Sequence, residues 1–306
     1  SYYYFKLMHL YRKKLTALLN KIHPDIVITT LGRDMDFLTS LHDGSKKIGE
    51  SHIAKQFTRN FHLMEQKGFP YNLVAHYWRK KQERSVSQLD AFVVLTEHDA
   101  KSWETVKEAT IIPNSLPFYP IESSSCNNKK IISVGRLYEQ KGYEMLVAAW
   151  SLIASNYPDW EISIYGNGEQ KEMLEQQIKK NGIEKSFHLC EPVKDIINKY
   201  LESSFYVMSS RFEGFGMVLT EAMACGLPCI SFNCPHGPSD IIKNEEDGFL
   251  VENGNIAQLA ESISYLIEHE EVRKQMGIKA KENIKRYSPT VVMQHWENLF
   301  NSLKES

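Results

Sequence analysis

Two carboxylates, Glu213 and Glu221, sit eight positions apart within residues 209–231, which read SSRFEGFGMVLTEAMACGLPCIS. The pattern is a strand end, a glycine-bearing turn, a helix and a second strand. Gly214 and Gly216 flank Phe215 just before that helix. A helix N-terminus offers backbone N–H groups without intrahelical partners and the positive end of a dipole, so it suits a phosphate. Glycine lets the backbone come close to such an anion. A carboxylate further into the helix would repel phosphate and is better placed to accept hydrogen bonds from sugar hydroxyls. Phosphate beside ribose points to a nucleotide.

A second loop supplies the opposite charge. Val134-Gly135-Arg136-Leu137-Tyr138-Glu139-Gln140-Lys141-Gly142 follows a predicted strand. Arg136 offers a planar fork for phosphate oxygens and Lys141 a point charge. Taken alone they read as solvated surface charges; beside the 209–231 element they read as ligands of a diphosphate held over the Gly216 helix start. Gly166-Asn167-Gly168 opens a G-x-G-x-x-G pattern, but Lys171 occupies the third glycine position. A tight turn near the ligand fits better than a NAD fingerprint. In the loop 233–240, Gly237 and Pro238 shape a turn, and His236 either approaches a ligand or has no role. Gly49-Glu50-Ser51-His52 follows another predicted strand, so His52 could face a nucleotide across an interdomain cleft or be structural. Basic residues at Arg12–Lys14 and Arg79–Lys81 with Arg84 lie near Tyr2, Tyr3, Tyr4, Tyr77 and Trp78. A membrane surface or lipid-phosphate acceptor could use them, and a solvated helix face is the preferred reading.

The elements that position these groups follow from periodicity. The 306 residues suggest two domains, with 42% hydrophobic and 24% charged residues as in ordinary globular cores. A net charge of −2 gives no case for nucleic acid. No apolar run reaches the ~18 residues of a membrane span, and no signal-peptide pattern opens the chain. Five cysteines, Cys126, Cys190, Cys225, Cys229 and Cys234, form an odd, sparse set that predicts a reducing cytoplasm. Cys225, Cys229, Cys234 and His236 could be taken for a zinc cluster, but small buried residues at a helix end and along a strand are the preferred reading. The chain begins at Ser1 in a helical pattern of Leu7, Leu10, Leu15, Leu18 and Ile22. The expectation for an α/β protein is then an N-terminal domain lacking its first strand.

Strands are predicted at 25–30, 46–49, 91–96 and 109–112, with Thr96 capping the next helix. The proline- and serine-rich stretch 113–128 reads as an interdomain linker. Strands at 130–134, 160–165, 186–190, 205–209, 228–232 and 248–251 then alternate with helical segments, and three helical stretches close the chain. Repeated βα units mean parallel sheets with helices on both faces, and ligands at the carboxyl ends of strands. The loops after Val134, Tyr165, Cys190, Ser209 and Phe232 then share one edge.

These residues resemble the retaining nucleotide-sugar glycosyltransferases of family four, which have the α/β GT-B fold of two Rossmann-like domains facing across a cleft. Glu213-x₇-Glu221 within EGFGMVLTEAMACGLPCI is similar to that family's signature, and VGRLYEQKG to its phosphate-binding segment. IIPNSL resembles its linker motif, with Ser115 where glycine is usual. Asp247-Gly248-Phe249-Leu250-Val251 and the terminal helix around Trp296 also fit. The resemblance covers residues 130–303 strongly and the first domain loosely. It implies an incomplete acceptor-side domain at 1–116, a nucleotide-sugar domain at 117–288 and a returning helix at 289–306. It also implies that the glycine-rich loop of the first domain precedes residue 1.

By position, the resemblance implies that Arg136 and Lys141 hold the diphosphate, Glu221 binds ribose and Glu213 contacts the donor sugar near its reacting carbon. Backbone N–H groups of Gly214, Phe215, Gly216, Met217, Val218 and Leu219 would cradle phosphate and sugar. Val193 would lie near the base and His52 would contact the donor sugar. The expected enzyme is a hexosyl- or N-acetylhexosaminyltransferase using a UDP-sugar. Its acceptor would be a glycan or lipid-linked sugar of a bacterial surface polysaccharide or glycolipid, met in the cytoplasm or at the inner face of the membrane. Neither metal nor resident cofactor is expected, since the cations can carry the leaving charge. The rival readings are an inactive nucleotide-sugar-binding regulator, a NAD-dependent oxidoreductase and a membrane-surface module.

Overall fold

A computed structural model describes residues 2–104, 106 and 108–305. Ser1 and the side chain of Tyr2, both named above, lie outside the described residues. The chain divides into two compact units, Ser1–Pro113 with Met293–Ser306, and Asn114–Val292.

Unit 1 contains α1 (Tyr2–Ile22), β1 (Ile26–Thr29), β2 (Lys46–Ser51), α2 (Phe61–Glu65), α3 (Tyr71–Val86), β3 (Ala91–Val94), α4 (Glu97–Ser102) and β4 (Thr110–Ile111). Its strands pair in parallel in the order β1-β2-β3-β4. Each predicted strand is present, shortened or lengthened by a residue or two at its ends. Thr96 caps α4 as expected, its Oγ1 accepting from the Asp99 amide at 3.1 Å. Phe92 of β3 meets Trp103 edge to face at 4.9 Å in a core that also holds Met35 and Leu38.

Unit 2 contains β5 (Lys130–Val134), α5 (Tyr143–Ile153), β6 (Glu161–Tyr165), α6 (Lys171–Lys180), β7 (Phe187–Cys190), α7 (Ile196–Leu201), β8 (Phe205–Met208) and α8 (Met217–Ala224). Then come β9 (Cys229–Phe232), α9 (Pro238–Ile241), β10 (Gly248–Val251), α10 (Ile256–Glu268) and α11 (Glu270–Asn283). The last helix, α12 (Pro289–Glu305), starts in unit 2 and continues into the residues grouped with unit 1. Every strand is parallel, in the order β10-β9-β8-β5-β6-β7. β8 and β9 are buried along their whole length because helices cover both faces, which is why FYVM and CISF carry no polar alternation. From β5 the chain steps outward to β7, then returns to β5's other side with β8. The crevice between the β5 and β8 loops is therefore the switch point where such sheets take ligands.

Two features were not legible in the strand pattern. The stretch read as a linker is fastened to unit 2. Leu116 N–H donates to Tyr287 O at 2.8 Å, and Ser124 N–H to Cys225 O at 2.8 Å. Lys281 Nζ reaches Ile121 O at 3.1 Å and Ser123 Oγ at 2.8 Å. The second feature is Arg273 of α11, whose side chain is only 2% exposed. Its guanidinium donates to Cys126 O at 2.8 Å, to Ile267 O at 3.1 Å and to Leu266 O, and it lies 5.1 Å over the Trp160 ring. It thus satisfies last-turn carbonyls of α10 that no amide can reach. Burial pushes its pKa down.

No helix among the described residues is long and apolar enough to cross a membrane. Arg273→Met keeps the apolar stem but orphans those carbonyls, and is expected to lower the unfolding free energy by about 1–3 kcal/mol in urea titration.

Candidate functional site

At the switch point, two loops are stitched together by hydrogen bonds. Ser209 Oγ donates to Lys141 O at 3.0 Å, Arg211 N–H to Gln140 O at 2.8 Å, and Gln140 Nε2 to Phe212 O at 3.0 Å. Arg211 adds a side-chain bond to Glu139 O at 2.8 Å and an ion pair to Glu144 at 2.6 Å. Gly142 makes the approach possible: its φ is +59°, and a Cβ there would stand 2.3 Å from Ser209 O.

This stitching delivers Lys141 Nζ to Glu213 Oε1 at 2.6 Å. Ser210 Oγ donates to the same oxygen, also at 2.6 Å. Glu213 is 7% exposed. Charge-assisted bonds this short in a partly dry site are stronger than their solvated counterparts. The Glu213 loop is in turn held by the loop after β9, since Glu213 N–H donates to Pro235 O at 3.2 Å. Gly237, at φ +112°, would put a Cβ 1.9 Å from Phe215 O. Phe215 is buried edge-on against Tyr287, with centroids 5.3 Å apart. Gly216 then turns into α8, whose N-terminus carries no side-chain cap.

Glu221 lies half-buried in α8 and accepts from Tyr200 Oη at 2.9 Å. Burial pushes its carboxyl pKa up, and the Tyr200 hydrogen bond partly opposes this. Gly166 and Gly168 do not form a nucleotide fingerprint. A Cβ on either would strike Gly135 O or Leu137 O, at 1.8 and 2.4 Å, so their role is to let the β6 loop lie on the β5 loop.

The other expected residues fall in different places. Arg136 is on the Lys141 loop but exposed, its guanidinium 5.2 Å over the Tyr138 ring, whereas Lys141 makes the contact with Glu213. Met217 and Val218 are half-buried and Leu219 is buried in the first turn of α8. Gly214 is half-buried. Val193 is 39% exposed beyond β7. His52 belongs to unit 1, just past β2, with Nε2 3.2 Å from Glu50 Oε1. That hydrogen bond holds its imidazole pKa above the ordinary value. Cys225 is the C-cap of α8 and Cys229 lies in β9, both buried. Burial pushes the Cys225 and Cys234 thiols up to about 12, which keeps them protonated. His236 is buried in its turn at φ +67°.

Ser210, Arg211 and Tyr200 were missed from sequence. Ser210 had a signal, a hydroxyl three residues before Glu213 on the same turn. Tyr200 had none, being 21 positions from Glu221 on another helix.

Residues 121–283 match the family model described as glycosyl transferases group 1. An uncharacterized glycosyltransferase of Haemophilus influenzae is 32% identical over 294 residues, covering 94% of this chain and 79% of that protein. The amylovoran biosynthesis glycosyltransferase AmsD of Erwinia amylovora is 33% identical over 221 residues, 68% of this chain and 61% of its own. A structure of Staphylococcus aureus TarM, a mutant in complex with fondaparinux, alpha-GlcNAc-glycerol and UDP, superposes with a TM-score of 0.78 at 23% identity, over 94% of this chain and 58% of that one. The chain therefore spans about three fifths of AmsD and of TarM. It belongs to the glycosyl transferases group 1 family, family four of the retaining glycosyltransferases, and its fold is GT-B.

Two titrations check the electrostatics. Tyr200→Phe removes the bond that lowers Glu221, so the Glu221 carboxyl pKa is expected to rise further in carbon-detected NMR. Ionised Glu221 costs stability above its raised pKa, a cost relieved as pH falls toward the ordinary carboxylate range. For His52 the sign is opposite. The Glu50 contact stabilises fully below the ordinary histidine pKa, and the contribution is lost as pH rises through the raised value. Glu50→Gln is expected to bring the His52 imidazole pKa down in proton NMR.

Proposed function

We propose that this protein transfers a hexosyl or N-acetylhexosaminyl group from a UDP-sugar to an acceptor hydroxyl, with retention, in the synthesis of a surface polysaccharide or glycolipid. The observation that carries this is the Lys141–Glu213–Ser210 cluster beside the uncapped start of α8, at the sheet's switch point. The name of AmsD supports a polysaccharide product, and the UDP bound to TarM supports the nucleotide.

In this mechanism the diphosphate sits over the backbone N–H groups of residues 214–218, where the α8 dipole favours negative charge; the Leu219 N–H, expected to join them, instead donates to Gly216 O at 2.9 Å. Lys141 turns toward it while remaining within reach of Glu213, and Arg136, exposed and leaning on Tyr138, supplies the second cation. Glu213 Oε1 is occupied by Lys141 and Ser210, so Oε2 is left for a hydroxyl of the donor sugar. Glu221, kept half-dry beside Tyr200, accepts from the ribose hydroxyls, which stabilise its charged form. Val193 packs near the base. His52, its Nε2 tied to Glu50, is proposed as a donor-sugar contact on the family resemblance.

As the bond from the anomeric carbon to the phosphate oxygen breaks, negative charge grows on the diphosphate and positive charge on the ring. The fixed cations and amides stabilise the first without reorganising. The acceptor oxygen attacks the same face, and its proton passes to the departing phosphate oxygen, so no protein nucleophile is needed.

A calorimetric panel of UDP, GDP and ADP is expected to show UDP binding tightest. Lys141→Ala should weaken it. Glu213→Gln should leave UDP affinity nearly unchanged and lower sugar transfer by roughly 10²–10³. Absence of binding by any nucleotide would defeat the proposal, and binding without turnover of any UDP-sugar would favour the regulatory reading.

A further inference from the structure

Unit 1 carries two adjoining cavities of about 560 and 200 Å³ that share Tyr4, Phe5 and Trp78. They open where the loops after β1 and β2 supply Arg33 and Arg59, at the carboxyl edge of the sheet, the edge that receives ligands in parallel α/β units. Arg33 and Arg59 line the larger cavity, and Arg12 and Lys81 the smaller. Among the described lining residues Asp36 is the one carboxylate. It is already engaged: Arg59 Nη1 holds one oxygen at 2.8 Å and Tyr4 Oη donates to the other at 2.6 Å. Arg59 also donates to Gly32 O, so it belongs to the wall. Arg12, Arg33 and Lys81 are the excess charge.

Two of these cations rest against rings. The Arg33 guanidinium lies 5.8 Å over Tyr4 and Lys81 Nζ 4.9 Å over Trp78, while Tyr4 and Trp78 meet edge to face at 6.2 Å. Phe5 is 63% exposed beside them. Arginine forks bind carboxylate or phosphate in two-point fashion, and flat rings pack against the C–H face of a pyranose. A site for a bare anion needs no rings, and a site for a neutral sugar needs no surplus of three cations. A concave wall also suits a chain of sugars better than a planar lipid surface, which contacts convex faces.

We propose that this groove binds an acidic saccharide, a sugar bearing a carboxylate or a phosphate, as the acceptor end of the reaction. The word acceptor rests on the proposed transferase activity; the binding chemistry does not.

The test is calorimetry on the full chain with a short oligogalacturonate, its methyl ester, glucose 6-phosphate, inorganic phosphate and vesicles of anionic lipid as separate arms. Binding of the oligogalacturonate or the sugar phosphate is expected, weakening with salt and lost on esterification. Arg33→Gln and Lys81→Gln, both at the surface of the groove, should each weaken it by about tenfold, while Lys101→Gln on α4 should not. Equal binding of the ester, equal binding of phosphate alone, or binding to vesicles without saccharide affinity would overturn the proposal. UDP binding by the same wild-type protein separates the two ideas. Protein that takes UDP but neither acidic saccharide defeats the groove and spares the donor site. Protein that takes an acidic saccharide but no nucleotide does the reverse.

Discussion

The ion pair between Lys141 and Glu213 depends on nearly everything else in unit 2. Each partner is on a loop, and neither loop has the local structure to fix a side chain by itself. What fixes them is the parallel sheet, which brings the ends of β5 and β8 side by side, and a set of backbone and side-chain hydrogen bonds that run from one loop to the other. Gly142 and Gly237 permit the close approaches, each at a backbone angle that a side chain would strain. The charge pair is thus the product of a topological choice, the reversal of strand order at β5. Its geometry is set by the fold and not by either loop alone.

Glu221 shows a different economy. It is half-buried and uses a tyrosine as its fixed partner. Glu213, by contrast, is saturated on one oxygen. Two acids of the same type on one turn and one helix therefore stand in different electrostatic surroundings, set by burial and partners.

Much of this was legible in the chain. Each predicted strand exists because buried parallel strands write themselves as short apolar runs between turn residues, as AFVVLT and KIISV do. The position of Glu213 in a turn and Glu221 in a helix followed from the glycines before Met217. What local pattern could not give was pairing across the fold. Arg136 and Lys141 share a loop and a charge, yet Lys141 points to Glu213 and Arg136 lies on Tyr138, a difference set by the loop's tertiary stitching. The Gly166-Asn167-Gly168 turn lies against the β5 loop, and the physical cause of its glycines, two carbonyls of that loop, is invisible in sequence. The stretch 113–128 has the composition of a free linker because its prolines and serines make no core, while bonds that tie it down come from Cys225, Lys281 and Tyr287, more than a hundred residues later.

The two ends of the Lys141–Glu213 pair are 72 residues apart in the chain. No fragment containing one loop alone can present both, so an occupied site reports that the whole of unit 2 has closed. Any molecule that grips both loops must bind the folded form in preference to the unfolded, and by mass action it adds to folding stability in proportion to the logarithm of its concentration.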